Sequence, residues 1–131
     1  MEMTYKWVVA FGGAAVTYLF GGWSPLLGIL LAFNIIDYVS GVIASGMEGK
    51  LKSKVGLIGI ARKVLIFAMV GIAHLVDTAL GDQHFLRDAT IFFYLANELL
   101  SIIENAGRAG LMVPEPIKRA VEVLKGKGAA K

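Results

Sequence analysis

The chain has no cysteine and only three prolines among its 131 residues. Without cysteine there is no disulfide framework and no thiolate metal site. No G-x-x-x-x-G-K-[ST] phosphate loop is present, no nucleophile–base set and no metal-ligand motif. A membrane enzyme is therefore not expected, and neither a cofactor nor a metal. Regular amphipathic periods with broad polar faces, which a soluble domain of this size would show, are lacking too. What fills the chain is apolar. Hydrophobic side chains make up 56% of it, at a mean hydropathy of +0.68. They gather into four stretches parted by short polar joints.

Such stretches suit lipid as solvent. A bilayer core cannot satisfy backbone N–H and C=O groups, so each stretch must be a helix. The sequence predicts a single-domain, all-α, polytopic bundle of four spans: residues 6–22, 25–45, 64–80 and 89–107. The first is short for a crossing, and three spans is the alternative if it leaves the membrane. Trp7 and Trp23 flank it as interfacial aromatics do, and it reads as a retained span rather than a cleaved signal. Pro25 suits the first turn of span two. Gly13, Thr17 and Gly21 form a small-residue stripe, Gly28 and Ala32 another pair, and Gly41 a further small position. These are candidate helix-packing residues. Pro114 and Pro116 interrupt any continuation of span four. Residues 115–125 can form a short amphipathic helix, and the closing GKGAAK is expected to be disordered. Residues 1–110 thus read as the transmembrane unit and 111–131 as a basic cytoplasmic tail.

Charge sets the orientation. Of thirteen Lys and Arg residues, only Arg87 falls on one side. Lys6, Lys50, Lys52, Lys54, Arg62, Lys63, Arg108, Lys118, Arg119, Lys125, Lys127 and Lys131 fall on the other. The positive-inside rule then puts both termini and the loop 46–63 in the cytoplasm. The basic residues fix topology and rest on anionic lipid heads. They form no clustered soluble face for nucleic acid.

Acids and amides inside the spans are costly and so informative. Asp37, Asp77 and Glu98 stand out. Thr90, Tyr94, Asn97, Ser101, Glu104 and Arg108 follow a 4-3-4-3-4 spacing that sets them in one stripe of span four. Together with Asn34 in span two they are candidates for a polar interface or the lining of an opening. Hydrogen bonding that only holds a bundle together is the alternative. Glu104 can pair with Arg108 one turn on. His74 and Asp77, also one turn apart, read as an interfacial hydrogen-bonded pair rather than a metal site, with His84 across an exposed joint.

Three segments carry a family resemblance. They are Asn34-Ile35-Ile36-Asp37-Tyr38-Val39-Ser40-Gly41, then Gly59-Ile60-Ala61-Arg62-Lys63 with Asp77 closing the span, then Asn97 to Asn105 followed by Gly110 and Pro114. In order and placement they resemble the toxin-secretion/phage-lysis holins, over roughly residues 25–120. The resemblance implies a homo-oligomer in the bacterial cytoplasmic membrane that assembles into lesions at a set time. Those lesions would release an endolysin, or a toxin, without binding it directly. A small transporter or channel subunit, and a non-catalytic membrane anchor or antiholin, are the competing readings.

Overall fold

The computed structural model describes residues 1–129. Its five helices run in chain order as α1 (Glu2–Phe20), α2 (Pro25–Met47), α3 (Ser53–Leu80), α4 (Phe85–Arg108) and α5 (Glu115–Ala129). No strand occurs among the described residues. The joints follow from local chemistry. Gly21 ends α1 at φ 74°, its N–H donating to the Thr17 carbonyl, a left-handed cap that only glycine takes without strain. Ser24 then caps α2. Its hydroxyl accepts from the Leu27 N–H at 3.2 Å, and Pro25 fills the first turn. Gly81 closes α3 at φ 79°.

Helices α2, α3 and α4 form the bundle, α2 and α4 parallel and packed directly on each other and α3 antiparallel, packed mainly on α4. At 1.5 Å per residue, the 23 and 24 residues of α2 and α4 are each about 35 Å long, and they are coextensive. Leu27, Leu30, Val70, Ile91 and Leu95 make the buried core, toward the Arg87 end. Most other apolar side chains point outward. Ile35, Ile36, Val39 and Ile43 of α2 are exposed, as are Val64, Leu65 and Ile72 of α3. Water would penalise that surface, and lipid does not. Helices α2 and α3 are long and apolar enough to cross a membrane. α1 buries no residue; its last turn rests on α3, with Phe20 edge-on to Phe67 at 6.3 Å.

Two expectations change. The third helix does not open at residue 64. It is one element of 28 residues beginning at Ser53, so Arg62 and Lys63 are helical and only a short joint remains after Met47. Glycine at 56 and 59 lowers helix propensity without stopping a helix, and Tyr38 lies against both, its hydroxyl at Gly56 and its ring at Gly59. The tail also differs. α5 extends through Ala129 and packs antiparallel along α4. Residues 126–129 are therefore helical, and 130–131 lie outside the described residues.

Candidate functional site

Lys63 lies where the bundle is most polar. Its Nζ donates to Asp37 Oδ2 and to Glu98 Oε1, each at 2.7 Å. The Asp37 and Glu98 side chains are only 10% and 9% exposed, so both ion pairs are largely shielded. Position makes this possible. Asp37 is twelve residues into α2 and Glu98 thirteen into α4, so two parallel helices bring their carboxylates to one level, and α3 delivers the cation between them. Asp37 Oδ1 also accepts from Ser101 Oγ at 2.6 Å and from Asn105 Nδ2 at 2.8 Å. Asn105 Nδ2 further meets the Asp37 carbonyl and Ser40 Oγ, both at 3.0 Å. Gly41 lets the helices close here; a Cβ there would already touch the Asn105 amide at 3.4 Å.

The seam continues toward the end of α4. Arg108 Nη1 donates to Asn105 Oδ1 at 3.3 Å, and Nη2 to Ser45 Oγ at 3.1 Å and Glu48 Oε1 at 2.9 Å. A cavity of about 620 Å³ runs beside it, with Lys50 and Lys52 among its lining and Lys63, Asp37 and Glu98 reached from within. The apolar core lies beyond. A funnel lined by both charged and apolar side chains thus enters the bundle from one end and stops part-way.

At the Glu48 end the hydrogen bond from Arg108, with lesser attraction from Arg108 and Lys50, holds the Glu48 carboxyl below its ordinary value of 4.5. A depressed carboxylate contributes above its unfolded value and loses that contribution as pH falls through the folded one. Acidification below the ordinary carboxylate range is therefore expected to free the α2 terminus. A fall in the protection factor at Glu48 and Gly49, taken against the intrinsic exchange rate at each pH, would report it, and Arg108→Gln should give the same loosening at neutral pH with the acid response gone. A protection factor indifferent to both changes would deny the clasp any role.

The opposite end is tied differently. Asp77, 1% exposed, accepts from the Leu86 N–H at 2.9 Å and the Arg87 N–H at 2.8 Å. It thereby caps the first turn of α4, where a negative charge is favoured. Arg87 donates to the Phe20 carbonyl at 2.7 Å and pairs with Asp88, so α1, α3 and α4 meet at one point. The expected His74–Asp77 hydrogen bond does not form, because the backbone of α4 takes both Asp77 oxygens. His74 instead stacks on His84 at 5.5 Å. His84 is half-buried rather than exposed, and Gly21 sits so close that a Cβ would lie 2.6 Å from its ring.

The stripe on α4 divides. Ser101 and Arg108 turn toward α2, while Asn97 and Glu104 are exposed. Tyr94 and Thr90 are half-buried. Arg108 pairs with Glu48 and not with Glu104; a 4-3 spacing drifts around an α-helix, and only part of it faces one neighbour. Asn34 is buried with neither amide atom bonded. Of the small residues, Gly13 has open space around it, Thr17 bonds back to the Gly13 carbonyl, Gly28 meets only the Trp23 ring, and Ala32 is exposed. Lys63, Asn105, Ser40, Arg87 and Glu48 were not among the candidates from sequence. Lys63 had a signal: three acids within apolar stretches need a cation nearby.

The model of the bacteriophage holin family matches residues 14–126. The chain belongs to the bacteriophage holin family. An uncharacterised protein of Halalkalibacterium halodurans is 51% identical, covering 96% of this chain and 97% of its own length. A protein named probable holin, from Bacillus phage phi105, is 38% identical, covering 85% and 82%. An uncharacterised Listeria monocytogenes protein is 46% identical over 97% and 91%. No solved structure matches. Holin membership and the apolar helices together describe a membrane protein, and the Lys63 seam lies wholly inside the matched region.

Proposed function

We propose that this chain is a phage-type holin, which assembles with copies of itself in the host cytoplasmic membrane and opens lesions that release endolysin. The observation that carries the reading is the funnel ending at Lys63, Asp37 and Glu98 within a holin-family bundle. Intramembrane charges of this kind mark water-accessible pathways. Closed, the one cation is shared by the two carboxylates; with the helices parted, the same groups would line a wet opening. Asn34, Tyr94, Asn97, Ser101, Glu104 and Arg108 would take part in that rearrangement, and Gly13, Thr17, Gly21, Gly28, Ala32 and Gly41 in contacts between copies.

α4 is coextensive with α2 and bonded to its neighbours at both ends, which supports a crossing by α4 wherever α2 and α3 cross. With α1 this gives four spans. With α5 lifted from α4, the Lys and Arg residues other than Arg87 and the intramembrane Lys63 then fall on the cytoplasmic side, with both termini and the Arg108 end. The funnel mouth opens to the cytoplasm.

Expression of the chain alone and with an endolysin tests the reading. Abrupt loss of respiration, with lysis only when the endolysin is present, is expected. Passage of a small solute without passage of a folded enzyme would favour a transporter or channel subunit, and no effect on viability would leave a membrane anchor or antiholin.

A further inference from the structure

The helix pair in closest register is the one that lipid disfavours. α5 lies antiparallel on α4 from Gly107, near Lys118, to Ala89, against Gly128. Its 15 residues cover about 22 Å of α4, most of a bilayer core. The contact is apolar. Val121 is buried, Leu124 meets the core, and Lys127 Nζ stands 5.8 Å over the Phe92 ring. Yet α5 also carries Lys118, Arg119, Glu122 and Lys125. Among the described residues its ion pairing is internal, Lys125 to Glu122 at 3.9 Å, with none to α4. Where α4 crosses the membrane, a docked α5 would drag unpaired charges to hydrocarbon depth.

Resting on the holin reading, we propose that the α4 face beneath α5 is the surface on which a second copy docks, with α5 as its intramolecular stand-in. From Ala89 to Asn97 α4 has no charged side chain, so a second α4 lies against this face in lipid at lower cost than α5 does. Ala89 and Ala96 permit close approach there, beside Phe92 and Phe93. Gly128 shows how near the two backbones come. A Cβ there would stand 2.8 Å from Phe93 N and 3.0 Å from Phe93 Cα, both backbone atoms that cannot yield. Cover by α5 and cover by a second copy exclude each other.

The native chain has no cysteine, which makes the test direct. In vesicles of phosphatidylethanolamine and phosphatidylglycerol, Ala89→Cys is oxidised in the native background and with Gly128→Val. Lifting α5 is expected to raise the covalent dimer severalfold. In a second arm, Phe92→Cys with Lys127→Cys is joined by a flexible bis-maleimide, against a mono-maleimide control. Joined chains should stay apart by energy transfer between amino-terminal labels, and release no dye. An Ala89→Cys dimer unchanged by Gly128→Val, or joined chains that associate as freely as the control, would overturn the docking surface. Absence of dye release from the unmodified chain would instead count against the holin reading, since the dimer is read separately.

Discussion

Replacing Lys63 by Met is expected to destabilise the bundle by about 3–5 kcal/mol, the usual cost of removing one partner from a buried pair. Asp37 keeps Ser101 and Asn105 as donors. Glu98 loses its one cationic donor and is left beside the Asp37 carboxyl. Two carboxylates at one level, without the cation between them, also repel. Thermal unfolding in detergent micelles would measure the loss. The companion variant carries Lys63→Met with Asp37→Asn and Glu98→Gln. Neutral groups of similar volume remove the uncompensated charge, so most of the lost stability should return. A triple variant as unstable as Lys63→Met alone would mean that packing around the stem, and not charge, sets the effect. The functional consequence differs between the two. The triple variant retains a bundle but has no charged end to its funnel, and it should lyse host cells late or not at all.

That network marks where sequence reasoning reached and where it stopped. The four apolar stretches, the joint at Ser24-Pro25 and the polar character of Asp37, Asp77 and Glu98 were legible, since helix breaks and intramembrane acids are local facts of composition. The partner of the acids was not. Lys63 stood next to Arg62 among basic loop residues, and nothing local distinguishes a topology-setting lysine from one folded inward. Its role depends on α3 continuing back to Ser53, past two glycines that a window of propensity reads as loop. Arg108 shows the same limit. Glu104 is its neighbour one helical turn away, but Glu48 at the end of another helix wins it, because two elements ending at the same level supply a contact that spacing along one helix does not encode. α5 was legible as amphipathic, and its apolar side was visible in Val121 and Leu124; that this side meets α4 required the turn at Gly110 to be known.

Asp77→Ala should cost roughly 3 kcal/mol, since two hydrogen bonds from backbone amides to a buried carboxylate are lost together. The Leu86 and Arg87 N–H groups would be left without partners in the first turn of α4, and that turn has no other side-chain cap. The damage spreads in one direction. Arg87 is positioned by its own backbone bond to Asp77, and its guanidinium holds the last carbonyl of α1 at Phe20. A frayed start to α4 therefore loosens α1, whose remaining hold on the bundle is the contact of its last turn with α3. The Lys63 seam lies more than three helical turns away along α4 and should be unaffected. Amide exchange separates these regions: faster at Leu86, Arg87 and the end of α1, unchanged at Ser101 and Asn105. Asp77→Asn keeps one acceptor but turns an N–H₂ toward the second amide and gives up the charge favoured at a helix start, so it should fall between the native chain and Asp77→Ala. If Asp77→Asn were as well protected as the native protein at both amides, the carboxylate charge would have no part in the clasp, and α1 would owe its position to Phe20 and Phe67 alone.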